Sequence, residues 1–288
     1  MPEFKNDNKF LGTFLSKTKS GITRPASSWL KAVFYFKKFI LRMNNECIVI
    51  ACMPKSGSTF LLKGLSNITG FEVVWPFING AGRDAHNFYP PYLIDIYGKK
   101  TVCQMHMKAT EANLKSVENF SLKPIILVRN LFDAVISIRD HLHKEGTRGP
   151  IVYINDEFFK LNYRLQIDFI IELVIPWYID FYVSWFSACE DGLVDPLWLT
   201  YDELTTNTHS TLRFIMDSYN LKKSDEEIEE TLAKVMLGNV RFNKGVSGRG
   251  YHELTDNQIQ RIQNFTRFYP WVDFSKIGID KNSLTGII

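Results

Sequence analysis

Residues 47–68 read as an apolar run (CIVIA), a glycine-containing turn (CMPKSGSTF) and then an apolar helix. A strand that enters a tight turn and leaves as a buried helix is half of a crossover unit, and that unit constrains the fold more than any bulk property. Phe71 to Val74, Thr101 to Met105, Pro124 to Val128 and Pro196 to Thr200 are further strand candidates, mostly β-branched or aromatic. Helical stretches lie between several of them, at Ser58 to Ile68, Phe132 to His143 and His209 to Tyr219. The alternation predicts an α/β fold with a mainly parallel sheet flanked by helices. Ligands in such sheets bind beyond the carboxyl ends of the strands, where the loops after Ala51, Met105 and Val128 converge.

Charge narrows the choice of partner. The net charge of +3 conceals nine basic residues against Glu3 and Asp7 in residues 1–45, a balance of +7 that leaves −4 for the rest. A polyanionic ligand must then be held by a few placed cations and backbone dipoles, and nucleic acid is not an expected partner. Two regions follow from this: residues 1–45 as a basic arm with an amphipathic helix, and 46–288 as the main domain. Residues 1–27 are polar and aperiodic, a loose arm. Residues 28–43 look helical, with Lys31, Lys38 and Arg42 nearly on one side. Such a helix can touch a membrane surface weakly, although its broad apolar arc favours packing on a domain. The most apolar segment, Leu165 to Phe186, is interrupted by Asp168, Glu172, Pro176 and Asp180, and reads as core rather than a span. Cys47, Cys52, Cys103 and Cys189 form no C-x-x-C pair and read as reduced thiols, which points to a cytoplasmic protein.

Two loops carry the chemistry. At Pro54 to Thr59 a strand runs into a turn, with Gly57 preceding Ser58 and Thr59 at a helix start, so free N–H groups and the positive end of the helix dipole meet at one spot. Lys55 adds a mobile charge, but it precedes Gly57 and does not follow a second glycine as in the nucleotide P-loop. The second loop reads KPIILV, Arg129-Asn130 and then LFDAVIS, which sets Ser137 in the second turn of the next helix. A guanidinium and a hydroxyl so placed can grip a phosphate.

Together, PKSGSTF and RNLFDAVIS resemble the 3′-phosphoadenosine 5′-phosphosulfate (PAPS)-dependent sulfotransferase family, whose two loops read PKSGTTW and RNPKDVAVS. The resemblance covers roughly residues 46–270. It implies a P-loop-like phosphate-binding core and PAPS as co-substrate, with 3′-phosphoadenosine 5′-phosphate (PAP) as product and no metal. It implies a small-molecule acceptor, such as a hydroxylated natural product, lipid or amine. His106 ends TVCQMH as the family's base ends a strand, and with Lys55 and Ser137 it forms the implied catalytic set. The implied nucleotide contacts are Lys55, Ser56, Gly57, Ser58, Thr59, Phe60, Arg129, Ser137, Tyr201, Arg241, Lys244 and Gly245. Tyr201 matches the family's L-x-Y-E-D-M, and NKGVSGRGYHELT resembles R-K-G-x-x-G-D-W-K, a loop that closes on the 3′-phosphate.

The departures are specific. The family's Arg falls on Asn243, leaving Arg241 or Arg249 as substitutes; its stacking Trp falls on Phe60; and the Lys two before the base is Gln104, with Lys108 following. The family's dimer pattern falls on Tyr251, Thr255, Asp256 and Gln260, which leaves the oligomeric state open. Gly245, Gly248 and Gly250 predict a loop of little intrinsic order over Arg241 to His252. His141 and His143 read as solvated, His209 and His252 fall in polar turns, and no His, Cys, Asp or Glu grouping has metal-ligand spacing. Two alternatives stay open. A nucleotide kinase would need Mg²⁺ ligands and a lysine after the glycine, and a non-catalytic nucleotide-binding scaffold would need neither.

Overall fold

Six of the seven residues of Glu46–Cys52 (β1) are buried, as the central strand of a sheet covered on both faces must be. The computed structural model describes residues 24–40, 44, 46–77, 86–146, 151–237 and 247–280. The chain divides into two compact units, residues 1–44 and 45–288. In the first, Arg24–Tyr35 is α-helical and Phe36–Ile40 continues as a π-helical turn, so the helix begins earlier than its apolar pattern suggests. Residues 1–23 and 41–43 of the expected arm and helix lie outside the described residues.

In the second unit β1 leads to α1 (Ser58–Thr69), β2 (Glu72–Val73), α2 (Pro90–Ile96), β3 (Lys100–Met105) and α3 (Glu111–Asn119). Next come β4 (Pro124–Val128), α4 (Leu131–Glu145), α5 (Glu157–Lys160), α6 (Tyr163–Leu173) and α7 (Ile175–Glu190). The chain continues through β5 (Leu197–Thr200), α8 (Tyr201–Thr206), α9 (Thr208–Ser218), α10 (Asp225–Leu237), α11 (Arg249–Glu253) and α12 (Asp256–Asn264). The five strands pair in parallel in the order β2-β3-β1-β4-β5. This is the helix-flanked parallel sheet that the alternation predicts, with strand ends shifted by a residue or two.

The order sets the site. The crossover leaving β1 lands on β2, beyond β3, whereas the crossover leaving β3 lands on β4, on the other side of β1. The loops therefore diverge at the carboxyl end of β1 and leave a crevice there. Beneath it, Ile48, Ile50 and Leu127 of the sheet pack with Leu61 and Leu65 of α1 and with Leu212 and Ile215 of α9. Each such side chain contributes about 1.5–3 kcal/mol on burial. Tyr178, Phe181, Tyr182 and Trp185 of α7 are also fully buried. The segment Tyr163–Glu190 is apolar and long enough to cross a membrane, yet 56% of its apolar window is buried inside the fold, and a break at Val174 divides it into α6 and α7. It forms core helices.

Candidate active site

The loop between β1 and α1 is held open by its backbone. Lys55 and Gly57 both take the left-handed conformation, at φ 64° and 85°. At Gly57 a Cβ would also stand 3.2 Å from the Tyr201 ring, so glycine meets a conformational and a steric need at once. Buried Ser56 donates from Oγ to the Met53 carbonyl at 2.6 Å, and Tyr178 on α7 donates from Oη to the Pro54 carbonyl at 2.8 Å. Gly57 caps α1 without any side-chain acceptor. The N–H groups of Phe60 and Leu61 turn back to the Gly57 carbonyl, so those of Ser58 and Thr59 face the crevice end of the helix. Such a helix start can hold an anion.

Arg129 closes the crevice from β4. Its guanidinium lies 4.0 Å above the Tyr201 ring centroid, and Nη1 donates to the Lys55 carbonyl at 2.8 Å and to Ser137 Oγ at 3.2 Å. Arg129 Nε is buried without a partner. An orphaned buried donor costs about 1–3 kcal/mol, and an anionic oxygen would satisfy it. Asn130 caps α4, accepting at Oδ1 from the N–H groups of Phe132 and Asp133. One turn after Ser137, His141 Nδ1 lies 3.3 Å from Lys55 Nζ. The expectation of a solvated His141 is therefore corrected: at i+4 from Ser137 it shares that residue's face of α4.

His106 follows β3 directly. Its Nδ1 donates to the Cys52 carbonyl at 3.0 Å and lies 3.4 Å from the Cys52 thiol, whose own pKa is pushed up to about 12 by burial. Burial lowers the His106 pKa, the Cys52 carbonyl bond opposes that, and the Lys55 charge adds to the lowering. The ring is thus neutral near pH 7. Lys108, two residues on, has its ammonium ion-paired with Asp180 of α7. Trp185 Nε1 donates to the Met107 carbonyl at 3.0 Å and fixes the same loop.

The remaining expected residues divide. Phe60 is buried in the apolar cluster behind the crevice. Arg241, Asn243, Lys244 and Gly245 lie outside the described residues. The end of that segment is docked on α4, with Gly248 and Gly250 donating backbone N–H groups to the two carboxylate oxygens of buried Asp133 at 2.8 and 2.7 Å. A Cβ at Gly250 would meet the Phe132 backbone at 2.3 Å. Arg249 is ion-paired with Asp140 and Glu253, which commits its charge to protein carboxylates.

The sulfotransferase domain profile matches residues 45–267, more than three quarters of the chain. The chain belongs to the sulfotransferase family. It is an enzyme of the PAPS-dependent class. Among solved structures, the mouse sulfotransferase SULT7A1 complexed with PAP shares 16% identity, with a TM-score of 0.57 over 82% of this chain and 86% of that one. Retinol dehydratase in complex with androsterone and inactive cofactor PAP shares 11% identity, with a TM-score of 0.55 over 81% and 84%. The same enzyme with retinol and PAP gives 11%, 0.54, and 81% and 85%. No curated protein sequence matches. At these identities the structural likeness establishes the fold alone. The residues present suit PAPS, given the orphaned Arg129 Nε and the uncapped start of α1. Among the described residues no group of His, Cys, Asp or Glu could hold a metal ion.

Sequence reasoning missed several residues of this sulfotransferase site. The Asn130 cap and the position of His141 had signals, an Asx residue at a strand end before a helix and the i+4 spacing from Ser137. Tyr178 had only the aromatic density of α7. His86, which touches His106, had no signal at all.

Proposed function

We propose that this sulfotransferase moves the sulfuryl group of PAPS to a hydroxyl or amine of a small acceptor by in-line displacement, with His106 as general base. One contact carries the reading. The Cys52 carbonyl at Nδ1 can only accept, so the proton sits on Nδ1 and Nε2 keeps its lone pair. A neutral imidazole with a fixed tautomer at a strand's carboxyl end suits proton abstraction from an acceptor. PAPS, when bound, supplies the sulfuryl group and a phosphate leaving group. Lys55 and the Ser58 and Thr59 N–H groups would bind the 5′-phosphate and offset its charge, while Ser56 and Gly57 hold the loop's shape. Arg129 and Ser137 would bind the 3′-phosphate over Tyr201, with Arg241, Lys244 and Gly245 completing that side.

Retinol and androsterone, present in the retinol dehydratase structures, are acceptor-sized alcohols of the kind this reading favours. Four cysteines that stand outside any disulfide support a cytoplasmic location, which fractionation would test. Trp29, Phe36 and Phe39 are exposed near Lys31 and Lys38, which favours weak contact with an anionic bilayer, testable by vesicle co-sedimentation. The decisive experiment is incubation with PAPS and a panel of phenols, alcohols, amines and lipids, followed by mass spectrometry. A sulfated product is expected. Tight PAP binding with no product from any acceptor would leave a nucleotide-binding scaffold instead.

A further inference from the structure

We propose that His86 is a positioning residue for sulfuryl transfer, clamping the backbone of His106 and covering one face of its imidazole. The inference rests on the reading of His106 as the base. The two residues are joined reciprocally: the His106 N–H donates to His86 Nδ1 at 3.0 Å, and the His86 N–H donates to the His106 carbonyl at 2.7 Å. Their rings stack with centroids 5.5 Å apart and planes at 24°. On its far side His86 stacks on Phe77 at 3.9 Å and 7°. The segment is itself anchored, because Phe77 and Phe88 form an antiparallel bridge and the Phe88 N–H donates to buried Asn113 Oδ1 at 3.0 Å.

The need for such a clamp follows from what His106 lacks. Among the described residues no carboxylate contacts its ring, so the orienting acid of a Ser-His-Asp arrangement has no counterpart. Among the described residues, the groups that face it are the Cys52 carbonyl and thiol, the Lys55 charge and His86. Lys108, two residues on, is turned to Asp180. Among the described residues, His86 is the one that constrains both the backbone and the ring plane of His106. The backbone N–H bond also fixes His86, since its Nδ1 must be unprotonated to accept. Burial first, and the neighbouring His106 second, bring the His86 pKa down to about 4. His86 is thus a neutral clamp and does not add a second cation beside Lys55.

The test uses the full chain, with three variants that dissect the clamp. His86→Phe keeps a stacked ring and removes the acceptor; His86→Asn keeps an acceptor at the δ position and removes the ring; His86→Ala removes both. We expect His86→Ala to lower kcat by about 10²-fold, the scale of a misplaced catalytic group, with PAP affinity unchanged. The His106 imidazole, followed by NMR in the PAP-bound protein, should titrate at higher pH as the ring gains water. The acid limb of the rate profile should rise with it, and Phe and Asn should each restore part of the rate. Wild-type kcat with an unchanged His106 titration in His86→Ala would overturn the inference. So would a loss of kcat matched by an equal loss of PAP affinity, which marks a general structural role. If His106→Ala keeps full turnover, the base reading fails on its own, and the His106 titration in His86→Ala still decides whether His86 holds that ring.

Discussion

His106→Ala is expected to lower turnover by about 10²- to 10⁴-fold, the usual contribution of a general base, while PAP affinity measured by calorimetry stays near wild type. The shifted pKa adds a sign. Burial disfavours the imidazolium, so the neutral, competent form persists to lower pH, and with a hydroxyl acceptor the acid limb of kcat/KM should fall below about 6.5, the ordinary histidine value. A limb above that value would refute the burial argument. At the other phosphate, Arg129→Ala should weaken PAP by about 2–4 kcal/mol, the scale for truncating one member of a buried charge pair. It should scarcely change binding of adenosine 5′-phosphosulfate, which lacks the 3′-phosphate. Equal weakening of both ligands would move Arg129 out of the 3′-phosphate site. Phe60 is the residue for which resemblance and packing pull apart: the family position stacks on adenine, and here the side chain lies within the apolar cluster.

At the level of elements, α4 organises the crevice. Asn130 caps it, and Asp133, Ser137 and His141, each four residues apart, form a polar stripe on a helix whose first two turns are buried. The stripe reaches three partners: the Gly248 and Gly250 backbone, Arg129 and Lys55. Helix α7 has a matching task, with Tyr178 fixing the phosphate loop and Trp185 the loop after His106. Removing Asp133 strands two backbone donors, and hydrogen bonds to a charged group are worth about 1.5–3 kcal/mol. Asp133→Ala should therefore lower unfolding free energy in urea by about 2–3 kcal/mol and loosen residues 247–253 in hydrogen exchange. Arg249→Ala should affect stability through Asp140 and Glu253 and leave PAP affinity unchanged. A selective loss of PAP affinity would return Arg249 to the nucleotide site.

Across the whole molecule, the parallel order β2-β3-β1-β4-β5 brings together residues from three loops far apart in sequence, and the proposed role of Arg241 and Lys244 is open to a direct test. PAP should shield Arg241 and Lys244 from trypsin, and Arg241→Ala should remove that protection. If it does not, Asn243→Arg should raise PAP affinity by restoring the family's residue. The strand, turn and helix pattern, the uncapped helix start after Gly57 and the Arg129 to Ser137 spacing were legible because each depends on neighbours within about two helical turns. The sequence by itself therefore determined the fold class and the sulfotransferase family. Tertiary structure alone decided that His86 lies against His106, that Arg249 is taken by carboxylates, and that the Cys52 carbonyl sets the tautomer of His106. These are contacts across 20, 109 and 54 positions; those of His106 form when β1 and β3 pair and the loops close over their ends, that of Arg249 when α11 docks on α4, and no local periodicity encodes them.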